Sequence, residues 1–152
     1  MLLHSYRYPA HAARLAAIAR DIGFTQISVS HEVSPLMKFV RCGDTAVVEA
    51  YLAPILKRYV DRVAGELDGV RLMFMQSNGG LTDARLFQGK DSILSGPAGG
   101  VIGAVRTSEQ AGFDKIISFD MGGTSTDVSH YAGTFERAFD TKVAGVRMQV
   151  PI

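Results

Sequence analysis

A single cysteine, Cys42, occurs in the sequence, which excludes an internal disulfide framework and a multi-cysteine metal site and agrees with a reducing compartment, the cytoplasm. Net charge is equally scarce, since 16 basic and 15 acidic side chains leave +1 over 152 residues, with no long run of either sign. Such a balance gives no electrostatic footprint for nucleic acid or an anionic membrane, so neither is expected as a partner. No apolar run approaches the roughly 18 to 20 residues needed to cross a bilayer, and Met1-Leu2-Leu3 lacks the basic region and cleavage signal of a secretory peptide. Internal repeats, low-complexity tracts and flexible linkers are missing too. What is present, 47% hydrophobic and 20% charged residues, suits a soluble α/β protein with one buried core.

Both ends fall inside apparent elements. Leu2 to Ser5 reads as the tail of a buried strand, and Val146 to Val150 alternates like a strand before stopping at Pro151-Ile152. The chain is therefore expected to be truncated at both ends relative to a larger protein. Between them, Pro9, the helical spacing of Leu15, Ile18, Ala19 and Ile22, and Gly23 as a left-handed cap predict a helix over about 9–22. Phe24, Ile27 and Val29 predict a strand that ends at His31-Glu32-Val33-Ser34-Pro35. The longest helix is expected from Asp44, a good N-cap, to Leu67, with Val47, Tyr51, Ile55, Tyr59 and Val63, and Val48, Leu52, Leu56 and Val60 beside them, on a wide buried face and a kink near Ala50 caused by Pro54.

Val70 to Met75 is apolar apart from Arg71 and predicts a central strand covered on both faces, delivering the chain to Ser77-Asn78-Gly79-Gly80. A short helix is expected from Thr82, stapled by Leu81 and Leu86. The small-residue stretch from Ser95 to Ala104 opens a helix that ends near Gly112, and its missing side chains allow another backbone to approach closely. Lys115 to Phe119 then reads as a buried strand and Asp120 to Asp127 as a loop. Val128–Tyr131 and Thr134–Phe139 read as a hairpin turned at Ala132-Gly133.

The loop carries the chemistry. Paired Gly122 and Gly123 let the backbone turn and present N–H groups to an anion, while Thr124, Ser125 and Thr126 add hydroxyl donors suited to phosphate oxygens. Asp120 and Asp127 would repel a bare phosphate unless magnesium, or a water held by it, bridges carboxylate and phosphate. An ordinary glycine β-turn with capping hydroxyls is the competing reading. No lysine follows the glycines and no helix leaves the loop, so neither a Walker A loop nor a Rossmann turn fits.

The segment from Phe119 to Ser129 resembles the second phosphate loop of the actin, sugar-kinase and heat-shock-chaperone ATPases, and Gly96 to Ala104 is similar to their lobe-connecting helix. More narrowly, the chain resembles the hydantoinase A and 5-oxoprolinase family. The resemblance rests on Ser30 to Pro35, Ala50-Tyr51-Leu52-Ala53-Pro54, Met75 to Gly80, Leu94 to Gly100 and Asp120 to Asp127. Ser5 to Pro9 and His130 to Glu136 pull toward the 5-oxoprolinase branch.

This resemblance implies an α/β, ribonuclease-H-like, actin-like ATPase fold, with residues 1–95 ending the first lobe, 96–112 connecting the lobes and 113–152 starting the second. It implies ATP and Mg2+ as cofactors. Gly122, Gly123, Thr124, Ser125 and Thr126 would bind nucleotide, with Asp120 or Asp127 catalytic. Asp120 would serve magnesium indirectly through water, although the residues do not choose between the two aspartates. The implied reaction opens the lactam of 5-oxo-L-proline, or a hydantoin, with ATP hydrolysis; a nucleotide-gated chaperone-like module is the non-enzymatic alternative. Partners implied are ATP, a small cyclic amide, the remainder of the polypeptide or a hydantoinase B-type subunit, and a second copy through exposed apolar surface. The family's first Asp-Gly-Gly-Thr phosphate loop and its adenosine-contacting region do not appear in this sequence, so the isolated chain is expected to be inactive.

Outside the loop, Ser77 and Asn78 at a strand end are candidates for a substrate or interlobe role, against a simple turn stabilised by Asn78-Gly79. His31-Glu32 lacks the second histidine of a helical zinc motif, and a turn histidine is expected there. Cys42 has no nucleophile motif around it and is expected as a partly buried thiol. Ser95-Gly96-Pro97 and Ser77-Asn78 do not form a nucleophile elbow.

Overall fold

A computed structural model describes residues 1–67 and 69–151; Ile152, the last residue of the expected second-lobe segment, lies outside them. Pro9 occupies the N-cap of α1 (Ala10–Ile22), and Gly23 closes it with φ 104°, a left-handed cap that a residue with a Cβ adopts only at a cost. The strand expected after it does not form. Ile27 and Val29 instead pack, with Leu2, on Ala12 and Ala16 of α1, and among the described residues no strand lies beside them to share a ladder. The punctuated Ser30-His31-Glu32-Val33 becomes a single helical turn, α2 (Ser30–Val33), which ends two residues ahead of Pro35.

The long helix, α3 (Phe39–Glu66), runs unbroken through Pro54 but starts five residues before Asp44. Asp44 is therefore no N-cap, and its carboxylate lies 3.3 Å from Arg147 Nη2. Of the wide face expected to be buried, the row Val48, Leu52, Leu56 and Val60 is half-buried to buried and most of the row beside it is not. Val47, Tyr51, Ile55 and Tyr59 are exposed, Tyr51 at 74%, while the buried side carries Cys42, Thr45, Ala46, Glu49 and Val60. The neighbours on that side come close enough to require small or hydrogen-bonding residues. The Thr45 hydroxyl donates to Arg41 O at 2.9 Å and accepts from Gln149 N at 2.9 Å. Glu49 Oε2 accepts from Lys90 N at 2.7 Å, which anchors α4 (Gly89–Ser92) against α3.

Three antiparallel two-stranded ribbons form among the described residues, and the expected covered central strand is not among them. β1 (Met73–Met75) is only partly buried and pairs with β2 (Leu81–Asp83). The helix expected at Thr82 thus gives way to a strand and a 3-10 turn, Ala84–Leu86, capped by the Asp83 side chain. The Phe74 ring stacks on Phe87 with centroids 5.0 Å apart. After α5 (Ser95–Gln110), β3 (Ile116–Met121) pairs directly with β4 (Thr126–Tyr131). The hairpin therefore turns at the Gly122–Ser125 loop, and Thr134–Phe139 is not a strand. β5 (Thr141–Val143) and β6 (Val146–Met148) are joined by Ala144 and Gly145 at φ 49° and 84°, the two left-handed residues of a type I′ hairpin. The buried Met148 and Val150 carry this end of the chain onto α3.

The small residues of α5 set its position. Val105 is 1% exposed, and the helix packs on β1, β3 and β4 together. A Cβ on Gly99 would lie 3.7 Å from Met75 Cγ, and one on Gly100 would lie 3.6 Å from Asp120 Oδ2. α5 thereby ties the β1–β2 ribbon to the β3–β4 ribbon.

Gly89 is where close packing is least forgiving, because a Cβ there would sit 2.8 Å from Leu52 Cβ and 3.0 Å from Ala53 N. Gly89→Ala is expected to destabilise the fold by about 1–3 kcal/mol in urea titration, and an unchanged midpoint would contradict this packing. The half-buried Asp83 carboxyl is held at about 2 by hydrogen bonds from the Arg85 side chain and backbone N–H. A depressed folded value means that its contribution is present above the ordinary carboxylate range near 3.9 and fades as pH falls toward about 2. An NMR titration should place the Asp83 carboxyl there, and Arg85→Ala should return it toward the ordinary range.

Candidate functional site

The turn between β3 and β4 is closed by Gly122 N–H donating to Ser125 O at 2.9 Å. Gly122 therefore shapes the turn and offers no spare backbone donor. Among the described residues the N–H groups of Gly123, Thr124 and Ser125 and the hydroxyls of Thr124, Ser125 and Thr126 make no hydrogen bond, and all four residues are exposed. Neither glycine takes a left-handed φ. A Cβ on Gly122 would make ordinary contact with Ser125 O at 3.5 Å, and one on Gly123 would meet nothing within 4 Å. The fold itself does not demand glycine at position 123; what the glycine leaves is open space over a row of donors.

Asp120 and Asp127 are cross-strand partners at the base of this turn, so their carboxylates stand on one face of the ribbon. Side chains directly opposite have Cβ atoms about 4.5–5.5 Å apart, and two like charges there are destabilising. Two residue pairs further from the turn, Ser118 and Ser129 share a hydroxyl hydrogen bond of 2.5 Å on the same face. At the far end the Tyr131 hydroxyl donates to Glu109 Oε1 at 3.2 Å, and desolvation followed by this bond raises the phenol above its ordinary value. Face and helix are thereby joined, with Asp120 beside Gly100 of α5. The other face carries Ile117, Phe119, Met121 and Val128, all exposed, Ile117 at 79%. The strand expected to be buried is thus covered on one side only.

Ser77 and Asn78 form the β1–β2 turn. Ser77 is buried, and its hydroxyl donates to Asp91 O at 3.0 Å, while Asn78 Oδ1 accepts from Gly80 N at 2.7 Å. Both are first of all turn residues, yet both also line a cleft of ≈ 600 Å³ with the start of α5, Ile102, Arg106 and residues 135–137. The latter group was not legible in the sequence, where 134–139 reads as a strand. His31 stands 3.9 Å from Glu32, and among the described residues no group of three His, Cys, Asp or Glu side chains is arranged to hold a metal ion. Cys42 is buried and donates to Leu36 O at 2.9 Å.

A glycine turn of unpaired donors thus stands above two facing carboxylates, backed by a small-residue helix. Residues 42–152 match the hydantoinase/oxoprolinase family, and the chain belongs to it. It is 47% identical over 158 residues to 5-oxoprolinase of Saccharomyces cerevisiae, across 98% of its length, and 42% identical to 5-oxoprolinase 1 of Arabidopsis thaliana, across 99%. The chain spans 12% of the length of each of these relatives. The nucleotide-free structure of acetone carboxylase, solved for the mechanism of ATP-dependent acetone carboxylation, matches 99% of the chain with a TM-score of 0.89 at 27% identity, over 23% of its own length. The mixed α/β arrangement is therefore that of one region within larger proteins. No helix among the described residues is long and apolar enough to cross a membrane.

Because two carboxylates directly opposite each other repel, Asp120→Asn and Asp127→Asn should each stabilise the chain in the presence of a chelator by about 0.2–1 kcal/mol. Urea denaturation with a chelator measures this, and destabilisation by both variants would mean that the carboxylates do not repel. Gly123→Val should leave stability within about 0.5 kcal/mol of the parent.

Proposed function

We propose that this chain carries the second phosphate loop of an actin-like, ribonuclease-H-like ATPase fold, within an ATP-dependent enzyme that opens the lactam of 5-oxo-L-proline to glutamate. The observation that carries the reading is the row of unpaired N–H and hydroxyl donors at Gly123–Thr126, placed directly above the Asp120–Asp127 pair. Donors of this kind, fixed before the ligand arrives, stabilise phosphoryl charge without reorganising. The facing carboxylates suit a hard cation with oxygen ligands such as Mg2+, held directly or through its water. On this reading residues 1–95 end the first lobe, α5 fills the lobe-connecting role of 96–112, and 113–152 begin the second lobe.

When bound, ATP with magnesium supplies the phosphoryl group that turns the lactam carbonyl oxygen into a leaving group. The chain's own residues prepare for this. Gly122 sets the turn, Gly123, Thr124 and Ser125 point donors at the phosphate, and Thr126 adds a hydroxyl at the start of β4. Asp120 and Asp127 act as a pair, since the register gives neither a separate position. Similarity to 5-oxoprolinases over nearly the whole chain supports the lactam as substrate, and similarity to acetone carboxylase supports ATP dependence. The setting is cytoplasmic, and the remainder of the polypeptide or a B-type subunit completes the site.

ATP hydrolysis by the full-length polypeptide should require magnesium, rise with 5-oxo-L-proline, and fall by about 100-fold or more in Gly123→Val, since removing preorganised charge stabilisation costs about 10²–10³ in turnover. Stimulation by hydantoins alone would move the substrate to the sister branch. Turnover indifferent to either ring would leave a nucleotide-gated module.

A further inference from the structure

The cleft beside α5 holds one charge that nothing in the described chain balances. Three of its lining residues, Arg106, Glu136 and Arg137, are charged. Arg106 Nη1 is 2.9 Å from Glu109 Oε2, and Glu136 Oε1 is 3.6 Å from His130 Nε2. Arg137 has no acidic partner among the described residues. Around it the lining is mainly apolar, from Leu94, Pro97, Ala98, Val101, Ile102 and Phe135. The segment is tied to the phosphate-loop ribbon, because the Phe135 and Tyr131 rings lie with centroids 5.0 Å apart. The opposite wall is the Ser77–Gly80 turn, where a Cβ on Gly79 would fall 3.2 Å from Ile102 Cδ1. Asn78 uses its carbonyl oxygen within that turn, which leaves its amide N–H groups as donors.

A mostly apolar cleft with few convergent polar groups is the usual form of a small-molecule site, and its ≈ 600 Å³ falls in the usual range. It also lies next to the chemistry. Pro97, Ala98 and Val101 face the cleft, while Gly100 of the same helical turns faces Asp120 at the base of the phosphate loop. We propose that this cleft receives a small cyclic amide bearing a carboxylate, and that Arg137 determines specificity by pairing with that carboxylate while the Asn78 amide donates to the ring carbonyl. This rests on the cyclic-amide reading above and deepens it. A guanidinium offers two parallel N–H donors to a carboxylate and nothing comparable to an uncharged ring, so a lactam lacking the carboxylate gains no contact from Arg137.

The test is a calorimetric titration of the full-length protein, with a non-hydrolysable ATP analogue and magnesium, using 5-oxo-L-proline and its decarboxylated counterpart 2-pyrrolidinone. Arg137→Ala should weaken 5-oxo-L-proline by about tenfold to a hundredfold, the loss expected for one charged hydrogen-bonding pair, and leave 2-pyrrolidinone as in the parent. Arg137→Lys should recover part of the loss, and Arg62→Ala, on the far exposed side of α3, should change neither ligand. Unchanged 5-oxo-L-proline affinity in Arg137→Ala, equal loss of both lactams, or no binding of 5-oxo-L-proline by the parent would each overturn the proposal. Arg137-dependent binding without lactam-stimulated ATP hydrolysis would uphold the site and sink the hydrolase reading instead.

Discussion

Two like charges placed opposite each other on an antiparallel ribbon weaken its pairing, and Asp120 and Asp127 are held in that opposition by the pairing of β3 with β4. The turn above the pair and α5 beside it frame that opposition. On the proposed reading the donors of the turn immediately above take an anion, the carboxylates below take a cation, and an Mg2+–phosphate pair would satisfy both at once. Pairing along six residues on each strand fixes the register, so a slip of one residue would turn one carboxylate to the opposite face and separate the pair.

Small residues make the second contribution. Gly99 and Gly100 let α5 lie close to Met75 on one ribbon and Asp120 on the other, so a movement of the helix would be felt at both the cleft wall and the carboxylate pair. On α3 the same economy appears as Thr45 and Glu49, whose buried oxygens take backbone N–H groups from Gln149 and Lys90. Large apolar residues, by contrast, stand outside. Tyr51 and Tyr59 on α3 and Ile117, Phe119 and Val128 on the β3–β4 ribbon are exposed, as befits a region that covers only 12% of its 5-oxoprolinase relatives.

What the sequence made legible was local. Gly23 as a left-handed cap, the long helix through Pro54, the α5 segment opening at its small residues and the strand–turn–strand about Gly122-Gly123 all follow from nearest-neighbour chemistry. Burial was only partly legible, because periodicity states which residues share a face and not which part of it meets a neighbour. Val47, Tyr51, Ile55 and Tyr59 form a true stripe, yet it is the Thr45–Glu49 side that touches α2, α4 and β6. Strand partners were lost for the same reason. Met73–Met75 finds its partner eight residues on, and Val128 pairs backward with Phe119 rather than forward with residues 134–139. The candidate loop was legible as one stretch, although Asp120, Met121, Thr126 and Asp127 belong to the strands and only Gly122–Ser125 turn, whereas Arg137 and the cleft depend on residues brought together from separate stretches of the chain.

The most direct measurement is a structure of the full-length protein with ADP and magnesium bound. The predicted result is a phosphate group against the N–H groups of Gly123, Thr124 and Ser125, with the cation or its coordinated water between Asp120 and Asp127. A nucleotide seated elsewhere, with this loop unoccupied and the two carboxylates uncompensated, would contradict the account.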